Sequence, residues 1–253
     1  MRVGIAQVAA SALSDDLEQN IAMLGHLADQ AASLGADILV TPELMLTRYD
    51  PARAALVAAE GDRLREAAAR ISSESGIALV VSTPELAAGR RFITVTLLAG
   101  GEARLHHRKR ILFGAAEKAS FEAGRDPTGV VELAGARIGL ALCYEIEFPE
   151  IARAASLAGA DLLCVPTALT DGMTGQVAEQ VPEVIVPARS IENQLHIAYA
   201  NYARPEFIGQ STVTGPLGTL MLAGAKPGIT VHDIDITAAH AGRAVNTYLQ
   251  DLP

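Results

Sequence analysis

Short apolar runs rich in Val, Ile and Leu alternate with Ala-rich stretches of helical pattern, and this alternation restricts the fold more than any other feature of the chain. It begins with a predicted buried strand over Arg2–Ala6, a helix over Asp15–Ser33 capped by Ser14 or Asp15, and a second strand over Asp37–Thr41. Strands that alternate with helices form sheets covered by helices. The sequence therefore predicts an α/β fold and, since no Ser-, Gly- or Pro-rich linker interrupts it, a single domain over residues 1–253.

The same alternation continues through the rest of the chain. Further helices are expected over residues 61–75, 148–157 and 183–193. Residues 106–110 (His-His-Arg-Lys-Arg) are interpreted as a basic surface loop. The remaining predicted strands cover residues 77–81, 92–98, 130–133, 137–142, 161–165, 196–201, 209–214 and 220–222.

One short segment occurs twice. Residues 35–42 (Gly-Ala-Asp-Ile-Leu-Val-Thr-Pro) closely match residues 159–166 (Gly-Ala-Asp-Leu-Leu-Cys-Val-Pro). Both segments have the pattern of a helix stop, a buried strand and a proline. Either two sheets are built alike, or a common helix-to-strand joint has been used twice.

Charge and composition exclude several classes of partner. The chain has 20 Lys and Arg against 29 Asp and Glu, a net charge of −9, whereas nucleic acids and anionic membranes attract basic surfaces. No apolar run approaches the roughly 20 residues that span a bilayer, and the first residues lack the layout of a signal peptide. With two cysteines a disulfide framework is not expected. We therefore expect a cytoplasmic protein with a small-molecule substrate and neither nucleic acid nor membrane as partner.

Cys143 follows a predicted strand and precedes a predicted helix. Backbone N–H groups point outward at such a turn, where they favour a thiolate and can stabilise an oxyanion. Position alone also allows a buried cysteine that packs as a small hydrophobe, the usual state of a free cysteine. Cys164 lies inside an apolar strand, where this second interpretation is preferred.

Three charged residues are candidates to assist Cys143. Glu43 comes directly after a buried strand, at the edge where α/β sheets bind ligands, and in an apolar cleft it can act as a general base. A solvated loop glutamate is the alternative. Lys109 and Glu117 carry suitable charges, but neither is distinguished from its neighbours by the pattern alone.

In combination these residues resemble the nitrilase superfamily of carbon–nitrogen hydrolases. The matching segments are residues 41–44 around Glu43, residues 107–113 around Lys109 and residues 142–150 around Cys143, in the order and approximate spacing of that family. Weaker matches extend the resemblance over residues 3–249. The segment around Cys143 is the most specific of them.

The resemblance implies a four-layer αββα sandwich that commonly forms homodimers or larger homo-oligomers. It also implies Cys143 as nucleophile, Glu43 as general base, Lys109 as oxyanion stabiliser and Glu117 as a supporting second glutamate. Substrate contacts are expected from four further residues: Tyr144, Glu145, Thr167 and Ala168. No cofactor and no metal are expected, because no zinc-type ligand spacing or phosphate-binding glycine loop is present.

The segments 144–147 and 188–202 are similar to those of bacterial aliphatic amidases, including amidases that act on ω-amino amides. The expected reaction is therefore hydrolysis of a small primary aliphatic amide through a thioester on the cysteine. An N-carbamoyl amidohydrolase or a nitrilase is the alternative within the superfamily. The non-enzymatic alternative is a binding or interaction protein with the same fold, whose signature would be loss of Glu43, Lys109 or Cys143.

The loop from Leu169 to Val181 is expected to border the entrance to the site. Glu179 or Glu183 would then be available for an amino group of the substrate, although surface glutamates are the commoner explanation. A substrate carboxylate would require an arginine, for which Arg189 and Arg204 are candidates. Arg189 is also expected to pair with Glu192 within its helix.

Overall fold

Two six-stranded β-sheets form the centre of the protein in a computed structural model that describes residues 1–170, 178–247 and 249–251. The strands of the first half are β1 Arg2–Gln7, β2 Ile38–Val40, β3 Ala78–Ala87, β4 Arg90–Ala99, β5 Glu102–Arg108 and β6 Val130–Leu133. Those of the second half are β7 Ala136–Leu140, β8 Leu162–Pro166, β9 His196–Ala200, β10 Thr212–Gly215, β11 Gly218–Leu222 and β12 Gly228–Asp233.

Helices cover the outer faces of the sheets. The α-helices are α1 Leu17–Ser33, α2 Pro51–Leu56, α3 Gly61–Ser75, α4 Gly114–Ser120, α5 Pro149–Leu157, α6 Val186–Asn193 and α7 Ile236–Val245. Short 3₁₀ turns span Ala10–Ala12, Met45–Thr47, Ala58–Glu60 and Cys143–Glu147, and a π-helical turn over Val181–Ile185 leads into α6.

The two sheets have the same construction. Their strand orders are β12-β1-β2-β3-β4-β5 and β11-β10-β9-β8-β7-β6. In each sheet the central three strands are parallel, β1-β2-β3 in one and β7-β8-β9 in the other. In each sheet antiparallel strands complete both sides. This is the four-layer αββα sandwich that the resemblance implied.

Period-two alternation of side chains divides the apolar residues into three layers. In β2, Ile38 and Val40 face the other sheet, whereas Leu39 between them packs beneath the helices of its own sheet. In β8, Cys164 belongs to the layer between the sheets, and Val165 to the layer under α5 and α6. Cys164 is thus a core residue, as predicted from its apolar strand.

The duplicated segment occupies equivalent places in the two sheets. Gly35 and Gly159 both have positive φ, +75° and +89°, and a Cβ on either would collide with an arginine guanidinium from the adjacent strand. The following aspartates each accept a hydrogen bond from that arginine's backbone N–H, Asp37 from Arg2 at 2.7 Å and Asp161 from Arg137 at 3.0 Å. Of the two interpretations left open above, the structure supports two sheets built alike.

Several predicted elements differ from the observed ones. Helix α1 begins two residues later than predicted, because Asp16 is the N-cap and accepts from the Glu18 N–H at 2.9 Å. Helices α2, α4 and α7 and strands β5 and β12 were not predicted. The basic run 106–110 is not a surface loop, because His106–Arg108 complete β5, and Lys109, directly after it, donates its N–H to Ile93 in the neighbouring strand at 2.8 Å.

Two further expectations concern the entrance loop and the absence of membrane-spanning helices. Residues 171–177, the middle of the predicted entrance loop, lie outside the described residues. None of the helices in the described ranges is long and apolar enough to cross a membrane.

Candidate active site

The four candidate catalytic residues come from separate elements and converge at one place. Glu43 follows β2, Lys109 follows β5, Glu117 lies in α4, and Cys143 follows β7. Glu43, Lys109 and Glu117 have no exposed surface, while Cys143 is partly exposed. Since β2 and β5 belong to one sheet and β7 to the other, the cluster lies across the seam between the sheets.

Lys109 connects the two glutamates. Its Nζ lies 2.8 Å from Oε1 of Glu43 and 2.7 Å from Oε1 of Glu117. Burial alone would lower the pKa of Lys109, but the negative charges of Glu43 and Glu117, which both accept from its ammonium, outweigh it and raise that pKa above its ordinary value. The ammonium therefore keeps its charge although it is fully buried.

The alternation of side chains along β5 explains why Lys109 points inward. His106 and Arg108 face Glu85, to which Arg108 donates two hydrogen bonds at 2.9 and 2.7 Å. His107 and Lys109 alternate with them and face the interior. In the charged run, His106 and Arg108 therefore belong to a face paired with Glu85, whereas His107 and Lys109 face the site.

The backbone of Glu43 is fixed on both sides. Its N–H donates to the Thr167 carbonyl at 3.2 Å, and the Tyr202 hydroxyl donates to its carbonyl at 2.7 Å. Burial raises the pKa of Glu43 to about 7, against the opposing charge of Lys109 and with a smaller contribution from Glu117. Its Oε2 is buried without a hydrogen bond of ordinary geometry, and the Cys143 thiol lies close enough to the carboxylate to influence its pKa. Near neutral pH this carboxylate can both accept and return a proton.

Cys143 adopts a left-handed backbone conformation, φ +46°, where β7 turns into the 3₁₀ helix Cys143–Glu147. Such a conformation is uncommon for a residue with a side chain and is found at functional sites that the surroundings hold in place. Burial raises the pKa of the Cys143 thiol well above its usual value, and the charge of Glu43 raises it further, against Lys109 and the Ala168 N–H. The resting nucleophile is therefore a thiol, and its attack requires a base.

Glu145, from which the sequence predicts a substrate contact, holds this turn from within. One oxygen accepts from the Leu142 N–H at 2.7 Å and lies 2.8 Å from Nε2 of His107, and the other accepts from the Arg110 N–H at 2.8 Å. Burial alone would raise the pKa of Glu145, but the His107 ring and these N–H groups hold it below its usual value. Both oxygens are engaged and Glu145 has no exposed surface, so it links the residue before Cys143 to the segment that carries Lys109.

The other three predicted substrate contacts lie around the cysteine. The Tyr144 ring packs edge to face against Phe113 and Phe148, with ring centroids 5.1 and 5.0 Å apart. Its backbone N–H adjoins the nucleophile because Tyr144 directly follows Cys143 in the chain. Thr167 and Ala168 are buried at the end of β8. Thr167 supports Glu43 through its carbonyl, and the Ala168 N–H favours the Cys143 thiolate.

Tyr49 belongs to the site and was not predicted. Its hydroxyl donates to Oε1 of Glu117 at 2.8 Å, the same oxygen that receives Lys109. Burial and the charges of Glu43 and Glu117 raise the pKa of Tyr49 well above its ordinary value, so the phenol stays protonated as a donor. The other oxygen of Glu117 accepts from the Phe113 N–H at 2.7 Å. No sequence signal distinguishes Tyr49 from an ordinary loop tyrosine.

The peripheral charged candidates are hydrogen-bonded to neighbouring side chains. Arg189 donates to Glu192 at 3.1 Å, as expected. Arg204 donates to Glu179 at 3.0 Å, and Glu183 accepts from Gln210 at 2.8 Å. Within the described ranges, no group of three or more His, Cys, Asp or Glu side chains is arranged to hold a metal ion.

Comparisons with known proteins agree with this geometry. Residues 2–244 match the carbon-nitrogen hydrolase family. A hydrolase encoded in the pqqF 5′ region of Pseudomonas protegens is 36% identical over 99% of this chain and 88% of its own length. The crystal structure of an amidase from Nesterenkonia is 35% identical, with a TM-score of 0.86 over 98% of this chain and 95% of that one. The chloroplastic omega-amidase of Arabidopsis thaliana is 30% identical over 87% of this chain and 63% of its own length.

Solved structures of the Nesterenkonia amidase place it in the nitrilase superfamily and describe additions at its active-site cysteine. They share the fold of this chain with a TM-score of 0.86. The buried Glu–Lys–Glu cluster beside a cysteine, the αββα sandwich and the match over nearly the whole length together lead to one assignment: the chain belongs to the carbon–nitrogen hydrolase family of the nitrilase superfamily and is a cysteine-dependent amidase.

Proposed function

We propose that the substrate of this amidase is a small primary aliphatic amide, hydrolysed to a carboxylic acid and ammonia. The observation that carries the proposal is that a neutral Cys143 thiol lies beside the carboxylate of Glu43. Burial raises the pKa of Glu43 to about 7, and the charged Lys109 ammonium donates a hydrogen bond to this carboxylate. A variant of the Nesterenkonia amidase has been solved in complex with butyramide, which supports an aliphatic acyl group.

In the first half-reaction the Cys143 sulfur attacks the amide carbonyl carbon while Glu43 removes the thiol proton. A base is needed because only the thiolate is a strong nucleophile, and burial keeps Cys143 protonated. The negative charge that develops on the carbonyl oxygen is stabilised by the Lys109 ammonium and the Tyr144 N–H. Preorganised donors in a dry site can lower the barrier by about 3 kcal/mol each.

Collapse of the tetrahedral intermediate breaks the carbon–nitrogen bond. Glu43 returns its proton to the leaving nitrogen, ammonia departs, and the acyl group remains on Cys143 as a thioester. Glu43, ionised again, then removes a proton from water, whose oxygen attacks the thioester. The Cys143 thiol leaves with the proton that Glu43 holds, and the carboxylic acid is released.

Glu117 and Tyr49 act through Lys109. The Glu117 carboxylate accepts from Lys109, Tyr49 and the Phe113 N–H, so it is held in one position. We propose that this arrangement keeps the ammonium in place when Glu43 becomes protonated and its attraction for Lys109 weakens.

The test is release of ammonia from aliphatic primary amides, N-carbamoyl compounds and nitriles, with a Cys143→Ala variant as control. We expect the highest kcat/KM with a short aliphatic amide and a loss of at least about 10³-fold in the variant. A preference for carbamoyl compounds or nitriles would contradict the proposed substrate. Absence of turnover in a folded wild-type protein would favour a binding role.

A further inference from the structure

A cavity of about 360 Å³ lies between α7 and the hairpin that joins β10 to β11. One wall is the hairpin residues 215–217 with Leu220, a second is one face of α7 with Ala238, Ala239 and Gly242, and a third is His196. The volume is within the range of small-molecule pockets, and most of the wall is apolar. We refer to this space as the α7 cavity.

The α7 cavity is separate from the catalytic cluster. In the parallel strands β7, β8 and β9, His196 is level with Ile138, and Cys143 lies beyond the far end of β7. The extended run from Ile138 to Leu142 spans about 13 Å. The cavity is therefore near the amino ends of these strands and the nucleophile is beyond their carboxyl ends, so a molecule in the cavity is not the amide under attack.

The imidazole of His196 is the buried polar group of the cavity wall. His196 is 4% exposed, and its Nδ1 is buried without a hydrogen bond of ordinary geometry. Burial lowers the pKa of His196, and the charge of Arg243 lowers it further, against the Asp161 carbonyl and the charges of Asp161 and Asp235. A neutral imidazole has one N–H donor and one nitrogen acceptor, so this ring can orient a ligand through a single hydrogen bond.

Two glycines leave open space in the walls. A Cβ on Gly215 would lie 2.9 Å from Cδ2 and 3.1 Å from Nε2 of His196, so the absence of a side chain leaves this edge of the ring uncovered. A Cβ on Gly242 in α7 would meet no atom within 4 Å. The hairpin and the helix therefore both leave room beside the ring.

Two leucines expose apolar surface beside this space. Leu217 at the tip of the hairpin is 97% exposed, and Leu220 is 40% exposed. A molecule in the α7 cavity would remove part of this surface from water, which favours binding of an apolar body.

The charges at the cavity favour a neutral ligand. Asp233 and Asp235 both line it. An anion would be repelled by these two carboxylates. A cation would lose its hydration without gaining a free partner, because Asp233 pairs with Arg2 at 3.3 Å and Asp235 accepts from the Ala238 N–H at 2.9 Å.

We propose that the α7 cavity is a second ligand site, which binds a small neutral molecule with an apolar body and a hydroxyl group that meets the His196 imidazole. A hydroxyl can donate to the ring or accept from it, so it fits whichever nitrogen carries the proton. The apolar body lies between the α7 face and the leucines of the hairpin.

The test is a ligand-observed NMR titration of the protein with 2-phenylethanol, 2-phenylethylamine and phenylacetate, which have similar size and different charge. We expect 2-phenylethanol to bind at least about fivefold more tightly than either ion. Gly242→Leu should weaken its binding at least about tenfold by filling the cavity, and leucine favours a helix more than glycine does. Gly25→Leu is the matched control, a glycine in α1 whose Cβ also meets no atom, and should change nothing.

A second variant tests the hydrogen bond. His196→Phe keeps a ring of similar size, so it should weaken 2-phenylethanol at least about threefold and leave ethylbenzene, which has no hydroxyl, within about twofold. Unchanged binding of 2-phenylethanol in Gly242→Leu would place the ligand elsewhere and overturn the inference. Tighter binding of phenylacetate, equal losses for both neutral ligands in His196→Phe, or absence of saturable binding to the wild type would also overturn it. None of these outcomes depends on which amide is hydrolysed.

Discussion

At the scale of the residue, the account depends on how burial changes the acids and bases of the site. Glu43 and Lys109 are both fully buried, yet the pKa of each is raised for a different reason, desolvation for Glu43 and the surrounding negative charge for Lys109. Glu43 and Lys109 are therefore both ionised above neutral pH, and Glu43 carries a proton just below neutral pH. A base with a pKa near the working pH is the most effective one for moving a proton in both directions.

This protonation state predicts the pH dependence of the reaction. Glu43 must be ionised to take the thiol proton, so kcat/KM for an amide should fall as pH drops through about 7 and be level just above it. The measurement is kcat/KM for butyramide between about pH 5 and pH 9. An acid limb near the ordinary glutamate value of 4.5 would show that Glu43 is not the group being titrated.

The same shift has a consequence for stability. Because the pKa of Glu43 is raised on folding, the folded state holds its proton to higher pH than the unfolded state does. The contribution of Glu43 to stability is then full below pH 4.5 and is lost as pH rises through about 7. Chemical denaturation at several pH values should show the wild type losing roughly 1–3 kcal/mol relative to Glu43→Gln across that range. If the free energies of unfolding of the wild type and Glu43→Gln change with pH in parallel, the raised pKa of Glu43 is contradicted.

The candidate catalytic residues could be predicted from the sequence, but the residues that hold them in place could not. Cys143, Glu43 and Lys109 were found because their order and spacing resemble a known family. Tyr49 was missed because a hydroxyl that reaches Glu117, 68 positions away in the chain, leaves no local pattern. Glu145 was assigned to the substrate because it adjoins the nucleophile, whereas both its oxygens bind the protein. The sequence alone does not show whether the side chain of a residue next to the nucleophile faces the substrate or the protein interior.

At the scale of the element, the turn after β7 is the part that the site depends on most. Cys143 has a strained backbone conformation there, and Glu145 joins this turn to the segment after β5. We infer that Glu145 is a positioning residue, which keeps Cys143 and Lys109 in register although it touches no reacting atom.

Glu145→Gln tests this role. The amide would present N–H groups to the N–H donors of Leu142 or Arg110, so one buried donor would lose its partner, at a cost of about 1–3 kcal/mol. We expect kcat for butyramide to fall while KM changes little, together with that loss in the free energy of unfolding. Glu132→Gln, at an exposed position in β6, should change neither quantity. An effect of Glu145→Gln confined to KM would instead indicate a substrate contact.

The elements missed from the sequence have specific causes. The end of β5 was interpreted as part of a surface loop because the five polar residues 106–110 have no apolar face, yet Glu85 and Glu145 supply polar partners on the two faces of the strand. Helix α2 carries an Asp50-Pro51 start, in which Asp50 accepts from the Arg53 N–H at 3.1 Å, but six residues are too few for a periodic pattern. Where the hydrogen-bond partners of an element come from distant segments of the chain, the local sequence pattern is insufficient to predict that element.

At the scale of the whole molecule, catalysis depends on the contact between the two sheets. Glu43 and Lys109 belong to one sheet and Cys143 to the other, and the layer of buried apolar residues between the sheets sets their separation. The αββα architecture was predictable because the family resemblance implies it, and two sheets built alike were one of the two interpretations that the duplicated segment left open. The predicted single domain and homo-oligomer stay predictions.

Leu140→Ala tests the dependence on this layer. Leu140 ends β7, packs between the sheets and is 3% exposed, so its truncation should cost about 2–5 kcal/mol. We expect activity and folded structure to be lost at the same, lower denaturant concentration. Leu56→Ala, at a leucine that is 82% exposed in α2, should change stability by less than about 0.5 kcal/mol. Activity that disappears well before the fold would show that the site does not depend on this contact.

The central claim is that Cys143 carries the acyl group as a thioester, and partitioning to hydroxylamine tests it most directly. Butyramide and a butyrate ester would be hydrolysed in the presence of hydroxylamine, and the ratio of hydroxamate to butyric acid measured for each. A common thioester predicts the same ratio for both substrates and loss of both products in Cys143→Ala. A ratio that depends on the leaving group, or turnover of butyramide by folded Cys143→Ala, would contradict the account.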